Sequence, residues 1–277
     1  MNIVGDLASD TEVESVAPGR FAATLSADWQ LVGPNGGYLA AVALRAGQRL
    51  ADRYRPASMS CQFLAPARFG RVELTGTVLR VTERATALRV AMFQSGDQLL
   101  EAQVWATPEQ PEGPVVAWHE MPAAPGPDRL PDLKARLAAA GAWVPRWHDS
   151  VTLRVVPGPT PELTWARFRP VPAFDEPWLD ACRALILVDS LQWPAIRVLM
   201  PDRDRTLALT THLAVTFHRD AGDAEWLLVD ARGAAAAHGF VGGTAAVWSD
   251  DGQLIAAGQQ QMLLHQLSRP AAFSRGS

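Results

Sequence analysis

The sequence predicts an α+β protein built from two tandem copies of one module, in which an antiparallel sheet accompanies a long helix. Three observations predict it: a proline-rich break near the middle of the chain, the same order of elements on either side of that break, and residue-level echoes between the two sides.

The break lies between Pro108 and Pro131, where seven prolines and two glycines interrupt any periodic apolar pattern. Proline fixes φ and removes a backbone donor, so the stretch reads as an extended surface connection. A short helix, Leu130 to Ala140, is expected within it, stopping at Gly141. The division that follows is a first module over 1–107, a linker over 108–149 and a second module over 150–277.

In the first module PNGGYLAAVALRAGQRLADRY (34–54) has Pro34 and Asn35 at its start and apolar residues at helical spacing, so a helix is expected there. Strand-like runs follow at 57–65, 71–81, 84–95 and 98–107. RVELTGTVLRV alternates apolar and polar residues, the pattern of a half-buried antiparallel strand. Short polar breaks such as Ser95-Gly96-Asp97 suit tight hairpin turns. The second module repeats the order. A helix runs from Pro177 to Trp193, stopping before Pro194, and strand-like runs cover 206–217, 225–235, 239–249 and 253–265. QSGDQLLEAQVWAT (94–107) echoes SDDGQLIAAGQQQML (249–263), and CQFLAPARFGRVEL (61–74) echoes VTFHRDAGDAEWLL (215–228). Two copies cannot make a solenoid, which needs more repeats to bury its faces.

Composition narrows the function. Hydrophobic residues make up 48% and charged residues 19% of 277, the balance of a globular protein with a substantial core. The net charge is −4 with the signs interleaved, and Lys134 is the single lysine. No basic block exists to track a phosphate backbone, so nucleic acid is not an expected partner. Cys61 and Cys182 lie in no CxxC pair and near no histidine at ligand spacing, so no metal site is expected. They read as free thiols in a reducing compartment. The acidic N-terminus lacks the pattern of a secretory signal, and no apolar run approaches the ~20 residues that cross a bilayer. A soluble cytoplasmic protein is the expectation. No GxSxG, GxGxxG or phosphate-cradling loop occurs, which argues against a serine hydrolase, a dinucleotide enzyme or a kinase.

PNGGYLAA, followed by CQFLAPARFG, resembles the helix start and first long strand of the acyl-CoA thioesterases that carry two hot-dog modules in one chain, the acyl-CoA thioesterase II type. The second module adds an Asp in its helix (Asp189), a Thr in the strand leading to Phe217-His218-Arg219 (Thr210) and a Gln in the last strand (Gln260). The resemblance implies a sheet wrapped around long central helices, the two modules side by side in one continuous sheet, and a homodimer or higher assembly. It also implies that Asp189, Thr210 and Gln260 are the catalytic set, acting on an acyl-CoA in lipid metabolism without a cofactor. His212 stands where the family often has Asp, and is expected to adjust the pocket.

The residues have their own physical reading. Leu185 to Val188 are apolar on every side, so the helix around Asp189 should be buried all round. A carboxylate there pays desolvation and its pKa rises, a mark of functional sites. Thr210 is also an ordinary strand residue, and only the resemblance separates it from Thr211. Strand alternation puts Gln259 and Gln261 on one face and Gln260, with Gly258 and Met262, on the other. Asn35 reads equally as a helix cap and as a ligand contact. Two glycines, Gly36 and Gly37, in a first helical turn cost stability, and their N–H groups suit a developing oxyanion. The first helix has no counterpart of Asp189, and the repeat places Trp105 where a Gln would stand. One catalytic centre per chain is therefore expected.

The resulting expectation is hydrolysis of an acyl-CoA thioester by a water held by Asp189, Thr210 and Gln260, with Asn35, Gly36, Gly37 and His212 at the substrate. Two other readings stay open at this level: a hot-dog hydratase or dehydratase using Asp189 with His212, and an acyl-CoA-binding protein without turnover.

Overall fold

The computed structural model describes residues 4–51, 54–108, 113–114, 116–158 and 163–267. The first module runs α1 (Leu7–Asp10), β1 (Glu14–Ala17), β2 (Arg20–Leu25), α2 (Gly36–Gln48), β3 (Tyr54–Phe63), β4 (Gly70–Val81), β5 (Thr86–Gln94) and β6 (Asp97–Pro108). The connection carries α3 (Leu133–Ala139). The second module runs β7 (Val151–Val155), β8 (Leu163–Phe168), α4 (Pro177–Arg197), β9 (Thr206–Phe217), β10 (Leu227–Ala237), β11 (Phe240–Ser249) and β12 (Leu254–Gln266).

All twelve strands form one antiparallel sheet in the order β1-β2-β4-β5-β6-β3-β9-β12-β11-β10-β8-β7. Read from the centre outward, each half is the image of the other, so β3 pairs with β9 across a pseudo-two-fold axis. That seam runs from Ser58 opposite Thr216 to Gln62 opposite His212. The sheet curls over α2 and α4, which pack on each other. A single apolar cluster spans both modules, from Leu7 to Ala256.

Residues 14–25 and 151–168, unassigned by pattern alone, supply the outer strands of each half. Two helix ends also differ from expectation. The first helix stops at Gln48 rather than 54, because the chain must turn to start β3 at Tyr54. The second passes through Pro194 and ends at Arg197. Pro194 is exposed, and the turn around it is held by Ile196, which packs on Val241 and Met262.

The fit of α4 to the sheet explains three glycines. Val188, Gln192 and Ile196, spaced by four, share one face of the helix. A Cβ on Gly258 would meet Val188 Cγ1 at 2.9 Å, one on Gly243 would meet Gln192 Oε1 at 2.9 Å, and one on Gly233 would meet Ile196 Cγ1 at 3.1 Å. Small residues on three neighbouring strands thus let α4 lie close to the sheet. Part of the linker packs on the sheet's outer surface, where Leu130 meets Trp165, Leu228 and Trp248.

Candidate active site

Asp189 lies midway along α4, 5% exposed, facing the N-terminus of α2. Its Oδ2 accepts the backbone N–H of Gly37 at 2.7 Å. Its Oδ1 accepts Thr210 Oγ1–H at 3.0 Å and Gln260 Nε2–H at 2.7 Å. Gln260 Nε2 also reaches Thr210 Oγ1. The three residues that the sequence singles out therefore converge, although they stand on a helix and two different strands.

Close approach of the helices makes this possible. A Cβ on Gly37 would lie 2.7 Å from Ile186 Cα, and one on Gly36 would lie 3.0 Å from Asp189 Oδ2. Any side chain at either position would push α2 off α4 or crowd the carboxylate. Asn35 is 1% exposed: its Oδ1 accepts Tyr38 N–H at 3.0 Å and its Nδ2 donates to Ser190 Oγ at 2.8 Å. It caps α2 and ties that helix to α4.

A bulge in β9 decides between Thr210 and Thr211. His212 is opposite Gln261 and Thr210 is opposite Met262, so Thr211 is the extra residue. An inserted residue keeps both Leu213 and Thr210 on the inner face, where regular alternation would send Thr210 outward. Thr211 instead donates to Gln261 O at 3.1 Å. His212 shares the outer face with exposed Gln261, and its Nε2 lies 3.2 Å from Ser60 Oγ. It therefore stands on the opposite side of the sheet from Asp189, and the Asp/His pair of the hydratase reading is not formed. No histidine contacts Asp189 among the described residues.

Electrostatics follow from burial. Loss of solvent pushes the Asp189 carboxyl up to about 6, against the pull of the hydrogen bonds from Thr210, Gly37 and Gln260. A carboxylate at that level is ionised near neutral pH and still basic enough to take a proton. Gln260 is 4% exposed, and its Oε1 has no partner among the described residues. The Gly37 N–H, expected as an oxyanion donor, is spent on Asp189. The Gly36 N–H, at the first position of α2, has no intrahelical acceptor. No group of three or more metal-ligating side chains occurs among the described residues.

The pseudo-two-fold shows which residues stand in the first module at the places of Asp189, Thr210 and Gln260. Asp189 is thirteen residues after the α4 cap Glu176, and thirteen after the α2 cap Asn35 comes Gln48. Gln48 Nε2 donates to Glu176 Oε1 at 2.9 Å, and Arg45 bonds both. The ladder places Pro56 opposite Ala106, where the second module has Thr210 opposite Met262. Met59 opposite Val104 likewise occupies the place of the next inward pair, Leu213 opposite Gln260. Val104, not Trp105, is therefore the counterpart of Gln260, because Trp105 faces outward and is 45% exposed. The echo in sequence is offset by one there.

Two family models match the chain, the acyl-CoA thioesterase N-terminal domain over residues 25–107 and its C-terminal domain over 119–264. The chain belongs to the acyl-CoA thioesterase family. Solved structures with this fold include acyl-CoA thioesterase II TesB2 from Mycobacterium marinum, which is 22% identical with a TM-score of 0.77 over 95% of this chain and 98% of that one. A hot-dog protein from Alicyclobacillus acidocaldarius is 21% identical with a TM-score of 0.79, covering 95% and 99%. The dehydratase domain of RzxB from Pseudomonas fluorescens is more distant, 16% identical with a TM-score of 0.55 over 90% and 96%. A search of curated proteins finds no match. The fold is a double hot-dog, and the enzyme is a thioester hydrolase. In this thioesterase no helix among the described residues is long and apolar enough to cross a membrane.

Proposed function

We propose that this thioesterase cleaves its acyl-CoA substrate by direct attack of water at one centre per chain, with Asp189 as general base. The observation that carries the reading is a buried carboxylate, pushed up to about 6 and held by three donors from two modules. Asp189 takes a proton from the water as its oxygen bonds to the thioester carbon. Gln260 Oε1 accepts the water's other hydrogen, and Thr210 fixes the carboxylate. The Gly36 N–H and the positive end of α2 stabilise the oxyanion. The C–S bond then breaks, and the CoA thiolate recovers the proton from Asp189. Fixing water and base in one geometry lowers the barrier by positioning as well as by proton transfer.

Other features support the finer points. The mirrored sheet and the end of the first family model at residue 107 support modules over 1–107 and 150–277 joined by 108–149, although the second family model already starts at residue 119. Two buried, unpaired thiols at Cys61 and Cys182 agree with a reducing cytoplasm. A role in lipid metabolism and assembly as a homodimer or larger oligomer complete the proposal, and they rest on the family resemblance. The test is thiol release from short, medium and long acyl-CoAs by wild type and by Asp189→Asn. Turnover on part of the panel that falls by about 10²-fold or more in the variant supports the base role. Equal turnover in a folded variant would end it.

A further inference from the structure

One fully buried polar side chain beside Asp189 has no part in the mechanism above. Gln192 lies three residues after Asp189 on α4 and is 0% exposed. Its Nε2 donates to Val188 O at 2.9 Å, which sets the amide's orientation and leaves Oε1 with no donor among the described residues. That oxygen sits over Gly243 of β11, where a Cβ would lie 2.9 Å from it. Gly243 is directly opposite Gln260 on β12. Inward positions of an opposed pair have Cβ atoms about 5 Å apart. Gln260 Oε1 is likewise buried without a donor, since its own Nε2 is committed to Asp189 and Thr210. Two buried carbonyl oxygens without donors, each fixed by what its NH2 binds, thus belong to side chains that meet one strand pair, Gln192 over Gly243 and Gln260 at the position opposite Gly243. Packing alone does not account for Gln192. The adjoining contact of Ile196 with Val241 and Met262 is apolar, and a Met or Leu would fill the same volume without a buried acceptor.

Resting on the reading of Asp189 as the base, we infer that Gln192 is a positioning residue whose Oε1 shares a second water, distinct from the attacking one, with the lone pair of Gln260 Oε1 that the attacking water does not use. The shared water holds the Gln260 amide with its NH2 turned to Asp189 and Thr210. Terminal amide torsions have broad wells, so a Gln260 without that anchor turns its oxygen toward the carboxylate part of the time. The donation that holds the Asp189 carboxyl down is then weakened, and fewer active sites have the attacking water correctly placed.

The test uses Gln192→Met, Gln260→Met and the double variant in the full chain, with Gln192→Leu as a second shape. The first readout needs no turnover: titration of carboxyl-labelled aspartate by carbon NMR, with Asp189→Asn assigning the signal. The second is the pH profile of kcat and KM. Gln192→Met is expected to raise the Asp189 midpoint by about half a pH unit. Its kcat should fall about fivefold with KM nearly unchanged. Neither change should grow in the Gln260→Met background. An unmoved midpoint in folded Gln192 variants, or a shift that adds to that of Gln260→Met, would overturn the inference. A wild type that titrates as described yet hydrolyses no thioester would instead refute the proposed function, so the two failures are distinguishable.

Discussion

At the scale of single residues, burial sets the acid–base character of Asp189. Asp189 moves from 3.8 to about 6 on folding, so the folded protein holds its proton more tightly than the unfolded chain does. The cost of burying the charge is absent at low pH. It appears as pH rises from about 4 and is complete above about 6, where it amounts to about 3 kcal/mol. Asp189→Asn, neutral throughout, should gain stability relative to wild type across that window, as denaturant unfolding at pH 4 and pH 7.5 would show. Activity should run the other way. In wild type kcat/KM should fall as pH drops through about 6, because only the ionised carboxylate accepts the water's proton. Among the hydrogen bonds that lower this pKa, the one from Thr210 contributes most. Thr210→Val should therefore move the midpoint of that profile upward and reduce kcat. The apolar helical context of Asp189 marked it in the sequence, whereas Thr210 and Gln260 were named through the family resemblance and not by their own local pattern. Thr210 faces inward only because Thr211 bulges, and nothing in TLALTTHLAVTF marks which threonine is the extra one. His212 went to the outer face for the same reason.

At the scale of elements, the contact between α2 and α4 makes the base, and two glycines make the contact. Gly37 gives its N–H to Asp189 and leaves room for the backbone at Ile186. Gly37→Ala puts a methyl 2.7 Å from Ile186 Cα and 3.0 Å from Asp189 Cβ, so one helix must shift. The expected loss is about 1–3 kcal/mol of stability, together with most of the activity, measured by thermal unfolding and thiol release. The four long strands of each module were readable as strand-like runs between polar breaks, with clear alternation in RVELTGTVLRV. The outer pairs β1–β2 and β7–β8 were not. Glu14–Ala17 is exposed along its whole length, and β8 is buried at most positions, so neither alternates. Pro194 misled in the other direction. Its missing N–H marks a helix end in isolation, whereas packing of Ile196 carries the helix one turn further.

At the scale of the whole molecule, the two modules offer two mirror-related places, and the Asp189, Thr210 and Gln260 cluster stands at one of them. The seam of β3 with β9 and the packing of α2 on α4 bring the first module's Gly37 to the second module's Asp189. The mirror-related place holds Gln48, Arg45 and Glu176 bonded to one another, with Pro56 and Val104 on the strands. A non-hydrolysable acyl-CoA thioether should therefore bind with one molecule per chain in calorimetry. The repeat itself was visible in the sequence, but the mirror relation between its halves was not, since residue echoes do not say which strands meet at the seam.

The central claim is that water, not a side chain, attacks the thioester. Single-turnover hydrolysis in ¹⁸O-labelled water, with mass spectrometry of the released acid and of the peptide containing Asp189, tests it most directly. Attack by an Asp189-activated water predicts label in the acid and none in Asp189. Label in the Asp189 carboxyl would mean that the side chain itself had been acylated, and would contradict the account.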